Sequence, residues 1–161
     1  NRVAPNTIPA VAKIAGNYLS GQLIKTEALR NGYQEGIALT PDGMLSEGSG
    51  QNVFVIDGGA IYTPPIDGTL LPGITRSTVM TLAADAGIPM HVQPLTREVL
   101  YTADEVFVCG TASEVTPIRS VDRLPVGDGK VGPITRQLQT TFLDIVNGRA
   151  RDVHGWLTPV R

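Results

Sequence analysis

One cysteine, Cys109, stands in 161 residues, so no disulfide can form within the chain. A reduced, cytoplasmic setting is the expectation. Histidine is almost as scarce: His91 and His154 are far apart and lack the spacing of metal ligands, and no metal site is expected. No apolar run approaches the roughly 20 residues that cross a bilayer. Thirteen Lys and Arg face 15 Asp and Glu for a net charge of −2, and nowhere do the basic residues cluster. Nucleic acid and anionic membrane are therefore not expected as partners. An initiator methionine is also missing. The chain opens Asn1-Arg2-Val3, and it is expected to be the ordered part of a longer protein. What is present is a globular composition, 42% hydrophobic and 17% charged, in one length suited to a single domain over 1–161.

Residues 9–31 read as a helix, with Val11, Ile14, Tyr18, Leu19, Leu23 and Ile24 at helical spacing and Asn31-Gly32 as the stop. Gly16 and Gly21 inside it point to close approach by another segment. Short strands follow. Residues 37–39 and Met44-Leu45 flank the turn Pro41-Asp42-Gly43, and residues 53–56 and 60–62 flank Gly58-Gly59, giving two hairpins. A helix is expected over 74–86, ended by Gly87, then a strand at 88–92 and a short helix at 96–103 with Thr96 as N-cap. Strands at 105–109 and 115–118 precede a turn at Asp128-Gly129. A last helix opens at Gly132-Pro133 and closes at Gly148, with Ile134, Leu138, Phe142 and Ile145 on one face. This mixed order predicts an α+β (mixed α/β) fold.

Lysine occurs three times, as Lys13, Lys25 and Lys130. Lys130 sits in a Gly/Asp turn, and Lys25 lies beside Thr26 and Glu27 on a polar face. Lys13 has only small apolar neighbours, Val11, Ala12, Ile14, Ala15 and Gly16, where desolvation would lower its pKa and free the amine as a nucleophile. A lysine snorkelling from a helix edge fits the same pattern. Leu71-Pro72-Gly73-Ile74-Thr75-Arg76 joins a Pro-rich loop to a helix start, so the N–H groups of Ile74 and Thr75 and the Thr75 hydroxyl form a recipe for holding a phosphate. Gly110-Thr111-Ala112-Ser113 ends a strand in small residues whose amides can hold an anion. Glu47, in the bend Ser46-Glu47-Gly48-Ser49-Gly50, is either a solvated loop acid or a fixed carboxylate facing a cationic ring nitrogen. Gln51 and Asn52 are placed to order that bend.

Together these segments resemble a known family. Glu47-Gly48-Ser49-Gly50-Gln51-Asn52-Val53-Phe54, Ile61-Tyr62-Thr63 and Leu71-Pro72-Gly73-Ile74-Thr75-Arg76 are similar to the signature of the class IV, fold-type IV pyridoxal-phosphate aminotransferases. Ala12-Lys13-Ile14-Ala15-Gly16-Asn17-Tyr18 resembles their lysine segment, and the stretch from Cys109 to Asp122 is similar to branched-chain aminotransferases. The resemblance implies the large domain of that fold, a mixed sheet or pseudo-barrel with surrounding helices, preceded by a small N-terminal domain that this chain lacks. It implies pyridoxal 5'-phosphate as cofactor and Lys13 as the catalytic residue, bound to the cofactor aldehyde and then moving a proton. Glu47 would bind the pyridine nitrogen and Tyr18 the ring oxygen. Leu71 would pack on a ring face, and Gly73, Ile74, Thr75 and Thr111 would hold the phosphate. The amides of Thr111 and Ala112 would face the substrate carboxylate. Amino acid and 2-oxo acid substrates and a homodimer or higher homo-oligomer follow from the same likeness. Aminodeoxychorismate lyase and D-amino-acid aminotransferase share the fold and remain alternatives, as does a non-catalytic binding or assembly domain.

Overall fold

The run Val53-Phe54-Val55-Ile56 is apolar on both sides of an extended chain, so a strand built from it needs cover on both faces. The computed structural model, which describes residues 1–160, provides that cover. The first long segment is a 3-10 turn, Ala15–Asn17, running into helix α1, Tyr18–Arg30. Strands β1 (Ile37–Leu39) and β2 (Leu45–Gly48) form one antiparallel hairpin, and β3 (Asn52–Asp57) and β4 (Ala60–Thr63) form a second. Helix α2 (Ile74–Asp85), strand β5 (Met90–Val92) and the short helix α3 (Val99–Thr102) lead to β6 (Glu105–Gly110) and β7 (Glu114–Pro117). A small hairpin, β8 (Ser120–Val121) and β9 (Leu124–Pro125), precedes helix α4 (Pro133–Val146).

The main sheet has the order β5-β4-β3-β6-β7, with β4 and β5 parallel and the remaining pairs antiparallel. At its centre Phe54 pairs with Phe107, and their rings stack with centroids 4.8 Å apart. These two, with Ile56 and Cys109, pack against Val79, Leu82 and Ala83 of α2 and Leu138 and Ile145 of α4. The opposite face, Val53, Val55, Val106 and Val108, is covered by Leu45, Leu95, Leu100 and Val126. The expected α+β class is therefore the observed one. Pro117 is tolerated because β7 is an edge strand.

Glu105 ties a strand to a helix. No side chain of its own segment caps α4. Its first amides, Ile134 N–H and Thr135 N–H, donate instead to the buried Glu105 carboxylate at 3.1 and 2.7 Å.

Several expectations change. The first helix begins at Tyr18, not at residue 9. The Asn17 side chain donates to the carbonyls of Pro9 (2.9 Å) and Ala12 (2.7 Å), which holds 9–14 in tight turns that compete with a helix. The expected apolar stripe also stays largely outward: Val11, Ile14, Tyr18, Leu19 and Leu23 are exposed in this chain, as is Leu29, and only Ile24 is partly buried. The short helix is only Val99–Thr102, and Thr96 is not its cap but bridges to Met44. The β8–β9 hairpin has no counterpart among the expected strands, because two residues per strand leave no periodicity to read. Of the two α1-region glycines, Gly21 meets the Ser49 carbonyl, whereas Gly16 has nothing near it. Among the described residues no helix is long and apolar enough to cross a membrane.

Candidate active site

A cleft of about 400 Å³ opens where β2, β6, the start of α2 and the turns before α1 come together. From the turns come Lys13 and, at the head of α1, Tyr18. Glu47 comes from β2 itself and not from the expected bend, which starts only at Ser49 and gives Ser49 and Gln51. Leu71, Gly73, Ile74 and Thr75 arrive with α2, and Thr111 with the end of β6. Eight positions singled out in the sequence thus share one wall system: Lys13, Tyr18, Glu47, Leu71, Gly73, Ile74, Thr75 and Thr111. Ala112 is exposed in the turn after Thr111 and does not line the cleft.

Glu47 is the buried charge of the site, with 4% of its surface exposed. Its Oε1 pairs with Arg2 Nη2 at 2.6 Å. Its Oε2 accepts the Leu71 N–H at 3.2 Å and Asn52 Nδ2 at 3.4 Å. Burial pushes the Glu47 carboxyl above its ordinary value, and Arg2 and the Leu71 amide pull against that shift without cancelling it. Asn52 Nδ2 also donates to the Leu71 carbonyl at 2.9 Å, so it couples the Glu47 bend to the loop before α2. The expectation that Asn52 orders this bend agrees with these bonds.

The start of α2 has the features an anion needs. No side chain caps it, and its first turn holds no acid. At Gly73 a Cβ would overlap Asn52 Oδ1, so a side chain there would push the Asn52 amide off its bonds to Glu47 and Leu71. Arg76, one turn further, is buried; its Nη2 donates to the Pro64 carbonyl at 3.1 Å, which fastens the preceding loop, while its Nε has no partner. Beneath the cleft, burial pushes the Cys109 thiol up to about 12, against the opposing pull of Arg76. It therefore stays a neutral, small core group.

Of the two readings of Lys13, the structure shows the solvent-reaching one: it is exposed at the cleft, because the 9–14 turns project it outward. Arg2 has no signal in the sequence at all. It is anchored by Nε to the Thr69 carbonyl (3.1 Å) and by its own N–H to the Leu39 carbonyl (2.9 Å), both distant in sequence. His91 stacks on Tyr62 and His154 pairs with Asp85, each outside the cleft.

The chain belongs to the class IV aminotransferase family: the model described as "Amino-transferase class IV" matches residues 2–121. The branched-chain-amino-acid aminotransferase of Salmonella typhimurium is 52% identical over 160 residues, which are 99% of this chain and 52% of that protein. That of Pseudomonas aeruginosa is 44% identical over 150 residues, 93% of this chain and 48% of the relative. The crystal structure of Escherichia coli branched-chain amino acid aminotransferase matches with a TM-score of 0.96 at 52% identity, covering 99% of this chain and 53% of that one. The branched-chain aminotransferase of Thermoproteus uzoniensis with norvaline matches at 0.95 and 42% identity, covering 100% and 53%. A further branched-chain aminotransferase, complexed with N-(5'-phosphopyridoxyl)-L-glutamate, matches at 0.95 and 42% identity, covering 99% and 54%. The chain spans about half the length of these relatives.

Proposed function

We propose that this chain is the cofactor-carrying large domain of a branched-chain amino acid aminotransferase, exchanging an amino group reversibly between Leu, Ile or Val and 2-oxoglutarate. The observation that carries this reading is the meeting, in one cleft, of an accessible lysine amine, a buried carboxylate and an uncapped helix start. Those three match an aldehyde, a ring nitrogen and a phosphate, so the residues fit pyridoxal 5'-phosphate. When bound, that group supplies an aldehyde that captures amines and a ring that draws electrons from the carbon losing its proton.

Lys13 Nζ, exposed at the cleft, is free to engage the aldehyde and then to take and return the proton. Glu47, fixed by Arg2, Leu71 and Asn52, presents a carboxylate to the ring nitrogen and favours its protonated form. The Ile74 and Thr75 amides with the Thr75 hydroxyl bind phosphate, and Thr111 assists from the turn after β6. Tyr18 donates to the ring oxygen, and Leu71 supports a ring face. The Thr111 amide takes the substrate carboxylate, with the Ala112 amide beside it at the rim of the cleft. A small N-terminal domain completing the side-chain pocket belongs to the same proposal. So do a homodimer or higher homo-oligomer and a cytoplasmic location. The exposed Leu19, Leu23 and Leu29 on α1 favour a covering partner.

The test is to incubate the full-length protein with valine and 2-oxoglutarate and follow glutamate. Glutamate formation is expected. No glutamate, with pyruvate released from aminodeoxychorismate, would assign the site to a lyase instead.

A further inference from the structure

Glu35 lies in the connection between α1 and β1 and does not line the cleft. Its half-buried carboxylate nevertheless gathers four donors. Oε1 accepts the N–H groups of Gly36 at 2.8 Å and Ser49 at 3.4 Å. Oε2 accepts Lys25 Nζ and Gln51 Nε2, each at 2.9 Å. Lys25 Nζ also donates to the Gln34 carbonyl at 2.6 Å. One side chain therefore joins α1, through Lys25, to the bend at Ser49 and Gln51. Ser49, Gly50 and Gln51 line the cleft directly after Glu47, and α1 starts with Tyr18, shortly after Lys13. At the same contact Gly21 of α1 lies so close to the Ser49 carbonyl that a Cβ would overlap it.

We infer that Glu35 is a positioning residue which, through Lys25 and Gln51, clips the helix that follows Lys13 to the bend that follows Glu47, and so sets the separation of those two groups. The inference rests on the cleft being the proposed aminotransferase site. Its physical need is clear from the bend itself. Gly48-Ser49-Gly50 is glycine-rich, and its internal support is the Gly48 N–H to Gln51 carbonyl bond (2.6 Å) and the Gly50 N–H to Gln51 Oε1 bond (3.2 Å). Both depend on Gln51, which Glu35 holds. A misplacement of about 1 Å between reacting groups costs on the order of 100-fold in rate. Burial by itself would push the Glu35 carboxyl up, but hydrogen bonds from Lys25, Ser49, Gly36 and Gln51 outweigh it and hold the group below its ordinary value. The clip therefore stays charged under working conditions.

The experiment compares Glu35→Gln with Glu105→Gln in the full-length protein. Glu105 anchors α4 and lies away from the cleft, so it reports on stability alone. For Glu35→Gln we expect amide exchange over 48–52 to rise about tenfold in cofactor-free protein, and pyridoxal phosphate to bind about tenfold more weakly by fluorescence titration. We also expect kcat to fall about tenfold, with KM for valine within a factor of about three. Glu105→Gln should move the melting temperature without changing any of these. If Glu35→Gln does not fold, Lys25→Met, which removes only the cation of the clip, is read in the same way. Glu35→Gln with wild-type exchange over 48–52, cofactor affinity and kcat would overturn the inference and leave the proposed function standing. A wild-type protein that binds no pyridoxal phosphate, while Glu35→Gln still loosens 48–52, would overturn the function and leave the clip.

Discussion

At the level of single residues, Lys13 and Glu47 sit in opposite surroundings. The amine is exposed on tight turns; the carboxylate is buried and held by three donors. That contrast suits a mobile covalent group facing a fixed charge. Lys13→Ala is expected to abolish the borohydride-fixed pyridoxal adduct in intact mass spectra, with none appearing at Lys25 or Lys130. Glu47→Gln keeps the shape but not the charge. Turnover should fall on the order of 10²-fold while the cofactor stays bound, as stopped-flow and absorbance would report. These two residues, with Ile74, Thr75 and Thr111, are legible because their types recur at a motif's spacing. Arg2 and Glu35 are not, because each acts on a partner brought close only by folding: Arg2 on Glu47, and Glu35 on Ser49 and Gln51. The choice between a desolvated and a snorkelling Lys13 is open in the sequence for a related reason. It depends on where a turn points, and small neighbours do not fix that.

Elements are readable where their signal is local and repeated. Both early hairpins fall at the expected turns, and α2 and α4 end near Gly87 and Gly148, which take positive φ values of +67° and +69°. The start of α1 is not readable, since Asn17 reaches back to Pro9 and Ala12 and outcompetes the helix. Nor is the capping of α4, whose anchor Glu105 belongs to a strand. Glu105→Gln leaves one helix amide facing a donor, and it should cost about 2 kcal/mol in urea unfolding. Wild-type stability in that variant would show that α4 needs no anchor from β6.

For the molecule as a whole, acid stability follows from two carboxyls with opposite shifts, the half-buried Glu35 and the buried Glu47. Glu35 titrates below its ordinary value of 4.5, so its contribution is present above that pH and is lost as pH falls through the folded value. Glu47 titrates above 4.5, so its contribution is greatest below that pH and is lost as pH rises through its folded value. Urea midpoints followed between about pH 3 and 6 should fall less steeply towards acid in Glu35→Gln than in wild type. Equal slopes would mean that folding does not lower the Glu35 pKa. The central β3–β6 pairing has a consequence for synthesis. Its partners, such as Phe54 and Phe107, lie about 50 residues apart, and Thr111 follows at the strand's end. As the chain leaves the ribosome, Lys13, Glu47 and Thr75 emerge well before their floor exists. Capture of the proposed cofactor therefore waits until β6 has been made, and nascent chains stalled before β6 should be colourless.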